Sequence, residues 1–235
     1  MGVGSVRLSR VAKTYGREET RVWALREVTL SVEPGTFVVI LGPSGSGKTT
    51  LLNLIGALDV PSEGRVEVAG HDLTRSTEAE RARFRRHKVG FVFQFFNLVP
   101  TLTARENVLL AAELVPHPRD PDALLAAVGL SHRKHHFPGE LSGGEQQRVA
   151  VARALAKNPE VILADEPTGS LDSQSGAQVL ALLWRFARDE GRTVLMVTHN
   201  QALAQIADRV LRLKDGRIVE DRRNEEPRTP EEVVW

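Results

Sequence analysis

Cysteine is absent from the 235-residue chain. Neither disulfides nor thiolate metal sites are possible, which is compatible with a cytosolic setting. A surplus of either charge is missing too: 31 Lys and Arg stand against 30 Asp and Glu, a formal net charge of +1. Dedicated nucleic-acid binders normally carry a basic surplus, so that class is set aside. No apolar run approaches the length needed to span a bilayer. Met1 to Ser9 shows no basic-then-apolar signal pattern. Work at a membrane would therefore go through a partner, without direct insertion. Internal repeats and low-complexity tracts are also missing. What remains is an apolar fraction of 41%, enough for the full core of one large domain or two small ones.

The chain is organised around Gly42-Pro43-Ser44-Gly45-Ser46-Gly47-Lys48-Thr49. An apolar run, Phe37 to Leu41, precedes it, and an apolar-periodic segment, Thr50 to Ile55, follows. Strand, glycine loop and helix make the pattern G-x-x-x-x-G-K-[ST] a P-loop rather than a glycine-rich turn that binds nothing. Glycines let the backbone curl so that several N–H groups point inward at phosphate oxygens. The helix adds its free first-turn N–H groups and positive dipole end. Lys48 supplies a full charge to the β and γ phosphates, and the Thr49 hydroxyl is placed to hold Mg²⁺.

Short strands are expected at Val6 to Leu8, Val28 to Val32 and Arg65 to Val68, and a polar turn from Gly16 to Arg21. Thr77 and Glu80 suggest a capping box opening a charged helix, followed by a buried strand from Val89 to Phe93. The middle changes character. Thr103 with Glu106, Asp120-Pro121, and Ser142 with Glu145 each open a helix, and no strand signal appears between about Gln94 and Asn158. Strands at Val161 to Ala164 and Thr193 to Val197 then alternate with helices at Ser173 to Glu190 and Gln201 to Ala207. Val210 to Leu213 and Arg217 to Val219 pair across Lys214-Asp215-Gly216. The expectation is a single α/β domain with a mainly parallel sheet and the P-loop at a strand's carboxyl end. Residues 1–93 and 158–220 form the nucleotide-binding core, with an antiparallel β subdomain near the N-terminus. Residues 94–157 form an inserted helical subdomain, and 221–235 a charged, loosely ordered tail.

Val161-Ile162-Leu163-Ala164-Asp165-Glu166 is the second chemical signal. Two carboxylates at the end of a buried strand could be a helix cap or a surface pair. After a P-loop, the first of such a pair orders Mg²⁺ and the second, Glu166, is positioned to polarise an attacking water. Leu141-Ser142-Gly143-Gly144-Glu145-Gln146-Gln147 is the decisive stretch. A cap alone explains Ser142 and Glu145. It leaves Gly143 and Gly144 unexplained, since glycines weaken a helix start unless something must approach closely.

A P-loop, then Leu-Ser-Gly-Gly-Glu-Gln-Gln, then an apolar strand ending Asp-Glu resembles the ATP-binding cassette (ABC) ATPase family over essentially all of the chain to about residue 220. The resemblance implies a RecA-like P-loop NTPase core that uses ATP and Mg²⁺. Residues 42–50, from Gly42 to Thr50, would then contact the nucleotide, and Lys48, Glu166 and His199 would act in hydrolysis. Gln94 resembles the Q-loop glutamine, which touches Mg²⁺ with Thr49 and Asp165 and senses a partner. Ser170-Leu171-Asp172 resembles the D-loop, and His199 the switch histidine at the γ-phosphate. Tyr15, the single tyrosine, resembles the aromatic that stacks on adenine, although an aromatic beside a turn is often core filler. In this family Ser142, Gly143 and Gly144 close over the γ-phosphate held by a second copy. The implied assembly is a head-to-tail dimer around two ATP molecules, peripheral on the inner face of the membrane through an integral permease.

Gly56 to Gly64 and Gln94 to Thr103 resemble the branch with lipoprotein-releasing, macrolide-exporting and cell-division ATPases. Amino-acid importers share much of the second segment. Soluble cassette ATPases and ATP-binding regulatory modules remain as rivals. Repair members carry a long coiled coil and translation members two cassettes, features missing here, while Lys48, Asp165, Glu166 and His199 speak for hydrolysis. Phe95, Phe96, Leu98, Val99 and Leu102 crowd around Pro100 and serve as core, as a groove for a permease helix, or as both. His132, His135 and His136 complete no ligand set and read as a solvated loop.

Overall fold

The computed structural model describes residues 5–17 and 20–233. Met1 to Gly4, Glu18 and Glu19 of the expected turn, and Val234-Trp235 of the tail lie outside the described residues. Two sheets carry the fold. The antiparallel one joins β1 (Val6–Tyr15), β2 (Val22–Val32), β4 (Glu63–Val68) and β5 (His71–Asp72) in the order β2-β1-β4-β5. The other comprises β3 (Phe37–Leu41), β6 (Val89–Val92), β7 (Val161–Asp165), β8 (Thr193–Val197), β9 (Arg209–Lys214) and β10 (Arg217–Arg223), ordered β10-β9-β3-β8-β7-β6. Its strands β9, β3, β8, β7 and β6 run parallel, and only β10 is antiparallel.

Strands β3, β6, β7 and β8 of the larger sheet are buried on both faces, and their side chains divide by the two-residue period of a strand. Val39, Ile162, Ala164 and Met196 point into one core with the helices α3 (Ala104–Ala112), α4 (Pro121–Ala127), α5 (Gly143–Ala156) and α6 (Ser173–Arg188). Val38, Ile40, Leu163 and Leu195 point into a second core with α1 (Lys48–Ile55), α2 (Glu78–Lys88) and the antiparallel sheet. Helices α3, α4 and α5 all fall between β6 and β7, with no strand among them.

Local chemistry sets the element ends. Capping boxes close the starts of α2, α3 and α5, and Asp120 caps α4 by accepting from the Asp122 and Ala123 N–H groups. Asp215 and Gly216, at φ 50° and 76°, turn the β9–β10 hairpin.

Three expectations change. Strand β1 continues past Leu8 to Tyr15 and β2 begins at Val22 rather than Val28; the register shifts where these two segments pair break the alternation by which a strand is read from sequence. The Gln201–Ile206 segment is a 3-10 helix. The charged tail is docked rather than loose. Strand β10 runs to Arg223, the Arg228 N–H donates to the Gln205 carbonyl at 2.9 Å, and Pro230 and Val233 are buried. The Arg209–Asp221 pair, the Asn224 amide on the Gln205 carbonyl, backbone bonds and two small apolar side chains do the docking, and their partners lie far back in the chain, which concealed it.

Candidate functional site

Strand β3 is fully buried and delivers the chain to Gly42 at its carboxyl end. Gly47 stands at φ 102° immediately before α1, where an added Cβ would lie 2.4 Å from the Ala24 carbonyl oxygen. Only glycine fits there. The start of α1 differs from those of α2, α3 and α5: it has no side-chain cap and no acidic residue in its first turn. Its free N–H groups and positive end therefore face the loop open to an anion. The Lys48 ammonium donates to the Gly42 and Pro43 carbonyls at 2.6 and 2.9 Å, and the buried Ser46 hydroxyl has no partner.

Parallel strands bring the remaining groups to the same edge. Asp165 ends β7, and its carboxylate accepts the Thr49 hydroxyl at 2.9 Å. Burial raises the Asp165 pKa, the Thr49 hydrogen bond opposes that, Glu166 adds to it and Lys48 works against it. The Glu166 N–H donates to the Val197 carbonyl at 2.9 Å, tying the end of β7 to β8. Glu166 has φ 48°, a strained conformation for this residue type. One of its carboxylate oxygens lies 3.0 Å from His199 Nδ1, and the other is buried without a partner. His199 itself is 75% exposed.

Most of these groups border one open cavity of about 390 Å³, but Gly42, Pro43, Ser46 and His199 are not among its lining residues. Ser44, Gly45, Gly47, Lys48, Thr49, Thr50, Gln94, Asp165 and Glu166 line it, together with Val22, Trp23 and Ala24. The last three were not expected. A tryptophan among the aliphatic and charged residues of β2 was the available signal, and the Arg26 guanidinium covers its ring at 5.7 Å. Tyr15 is not among the lining residues. Its hydroxyl donates to Asp59 at 2.9 Å, and Lys13 stands 5.0 Å from its ring centre. A larger cavity, about 690 Å³, lies between β4, β5 and α2 and contains none of the expected residues.

Ser142, Gly143 and Gly144 are not among the residues lining the P-loop cavity. They sit at the start of α5, where Ser142 and Glu145 form a reciprocal box and Arg133 reaches Glu145 at 3.1 Å. Gly144 packs against the start of α6, and a Cβ there would come 2.6 Å from Ser175 Oγ and 2.9 Å from Ser175 Cβ. Asp172 caps α6 by accepting the Ser175 N–H at 2.9 Å, so Gly144 and Asp172 are near neighbours. Gly144 thus has an intrachain reason to be glycine that was not legible in the sequence.

The loop after Gln94 is divided in use. Phe95 is 76% exposed, whereas Leu98 packs on the core. Two unanticipated side chains hold this loop to α5. Gln147 donates to the Phe93 carbonyl at 3.3 Å, and Arg153 to those of Phe96 and Asn97 at 2.9 and 2.6 Å. His132 and His135 are exposed, and no metal-binding group of three or more His, Asp or Glu side chains occurs among the described residues.

A family model described as "ABC transporter" matches residues 25–169. An uncharacterised ABC transporter ATP-binding protein of Mycobacterium tuberculosis is 49% identical over 91% of this chain and 88% of its own. The lipoprotein-releasing system ATP-binding protein LolD of Geobacter metallireducens is 48% identical, covering 90% of this chain and 96% of the relative. The macrolide export ATP-binding/permease protein MacB of Brucella melitensis is 44% identical over 99% of this chain but only 37% of its own length. Among solved structures, a dimeric post-hydrolysis state of the ATP-binding cassette MJ0796 with ADP and Pi aligns with a TM-score of 0.87 at 43% identity, over 93% and 98% of the two chains.

Proposed function

The chain belongs to the ABC transporter family, and from that premise we propose that it is the ATP-hydrolysing subunit of a membrane transporter of the lipoprotein-releasing and macrolide-exporting branch. The observation that carries the reading is the single cavity lined by Lys48, Thr49, Gln94, Asp165 and Glu166. The open start of α1 and Lys48 take the phosphates of ATP. Lys48 leaves its loop carbonyls to do so.

The paired Thr49 hydroxyl and Asp165 carboxylate are a hard oxygen donor set that suits Mg²⁺, with phosphate and water supplying the other ligands. Thr49, Asp165 and Gln94 would hold the ion, which when bound neutralises charge developing on the phosphates. Glu166 takes a proton from the attacking water through the oxygen that has no protein partner, while His199 holds the other oxygen. His199, exposed in the loop after β8, is free to turn its other ring nitrogen to the γ-phosphate.

The capped, glycine-led start of α5 is not among the residues lining the cavity, which is consistent with Ser142, Gly143 and Gly144 serving the nucleotide of a second copy. The dimeric cassette aligned above supports that assembly. The names of the LolD and MacB relatives support the branch and a membrane permease as partner, which would hold the chain at the inner face of the membrane. No helix among the described residues is long and apolar enough to cross a bilayer.

Phosphate release by the purified chain, with Lys48→Ala as control, tests the reading. Magnesium-dependent hydrolysis and a sharp loss of ATP binding in the variant are expected. An unchanged ATP titration in Lys48→Ala would refute the phosphate site.

A further inference from the structure

Lys13, near the end of β1, is a lysine only 9% exposed. A buried ammonium needs acceptors. Lys13 finds them in the turn after α1, at Asp59 Oδ1 (2.6 Å) and the Val60 carbonyl (2.8 Å). Asp59 is shared. Its Oδ1 also accepts the Val60 N–H at 2.7 Å, and its Oδ2 accepts the Tyr15 hydroxyl at 2.9 Å. The turn holds Asp59 in place: the Leu58 and Asp59 N–H groups both donate to the Asn53 carbonyl of α1, at 2.8 and 3.2 Å. Burial raises the Asp59 pKa, but hydrogen bonds from Lys13, Val60 and Tyr15 outweigh it and keep the carboxylate charged.

Tyr15 is therefore held by its hydroxyl and by the Lys13 cation, 5.0 Å from its ring centre. Core packing does not hold the ring, which is 43% exposed. It pairs across the sheet with Val22, a residue lining the P-loop cavity, and the side chain of Thr50, another lining residue, acts on its phenol. A ring with one face under a cation and the rest open, beside a triphosphate cavity, offers its free face to a base. Stacking asks only for a π-face. A ring fixed beforehand avoids the ordering cost that a free side chain would meet on stacking.

We propose that Lys13 and Asp59 are positioning residues that clamp Tyr15 as a preformed platform for the nucleobase of ATP. This clamp deepens the ATP reading above, on which it rests. The Gly56 to Gly64 segment, which marks the branch, then has a task at the site. Helix α1 receives the phosphates at its start and fixes the base platform from the turn at its end.

Binding measured with magnesium chelated, so that hydrolysis stops, tests the clamp. Calorimetric titration with ATP is compared with titration with inorganic tripolyphosphate, which has no base. Tyr15→Phe keeps the ring and removes its tether, Asp59→Ala removes the acceptor, and Lys13→Met removes the cation. Each should weaken ATP binding by about two- to tenfold and leave tripolyphosphate binding unchanged. Tyr15→Phe combined with Asp59→Ala should lose no more than Asp59→Ala alone, because both remove one tether. Melting temperatures check that each variant is folded. Tyr15→Phe, a change at a half-exposed ring, carries the test where a buried variant fails to fold. Unchanged ATP binding in Tyr15→Phe would overturn the clamp. So would equal losses for ATP and tripolyphosphate in folded variants, or losses that multiply in the double variant. A wild-type chain that binds tripolyphosphate as tightly as ATP would overturn the base platform and leave the phosphate site intact. A wild-type chain that binds neither would overturn both.

Discussion

Glu166 and Lys157 stand in surroundings unlike those of an ordinary solvated side chain. Glu166 combines a left-handed backbone, a histidine on one oxygen and a buried, unpartnered second oxygen. Glu166→Gln keeps the shape and removes the base. Hydrolysis should fall by about 10²- to 10⁴-fold while ATP affinity changes little. A phosphate-release assay showing near-normal turnover would remove the general-base role. For Lys157 the consequence is a pH dependence of stability. Burial holds its pKa in the folded chain at about 8, below the ordinary lysine value of 10.5. Between those values the unfolded chain binds more protons, so this residue adds stability as pH rises through the window. The slope it contributes is at most about 1.4 kcal/mol per pH unit. Denaturant titrations of wild type and Lys157→Gln at pH 7.5 and 9.5 should show a smaller gain, or a larger loss, in the variant. Equal pH responses would contradict the lowered pKa.

At the level of elements, α5 joins the largest number of functional parts. Its start carries Ser142 to Gly144, its second turn reaches Phe93, and its last turn grips Phe96 and Asn97. Gly144→Ala would push a methyl group into Ser175, whose Cβ cannot rotate away. A loss of about 1–3 kcal/mol is expected, as for other overpacked contacts. Ser175→Gly should recover much of it in the double variant, read as a melting temperature; no recovery would place the strain elsewhere. Much of this level was legible in the sequence. Capping boxes at Thr77, Thr103 and Ser142 and the Asp-Gly hairpin act locally, so their chemistry is written in neighbouring residues. The far end of β1, the docked tail and the Gly144–Ser175 contact depend on partners distant in the chain or on backbone groups common to every residue. Trp23 was missed for the same reason: its place in the cavity is set by how β2 crosses the P-loop, not by its neighbours.

Over the whole molecule, the parallel sheet gathers Lys48, Gln94, Asp165, Glu166 and His199 at the carboxyl ends of four strands, as expected for ligands of open α/β sheets. The serine and glycines of α5 are not among the residues lining that cavity. In the proposed dimer, one chain would hold the open half of one site and the closing half of another. Light scattering on Glu166→Gln, with and without ATP, tests this directly. The particle mass should double when ATP is added, and Ser142→Arg in the same background should still bind ATP yet remain at the mass of one chain. A Glu166→Gln protein that stays monomeric with ATP bound, or a Ser142→Arg variant that dimerises equally well, would contradict the shared site.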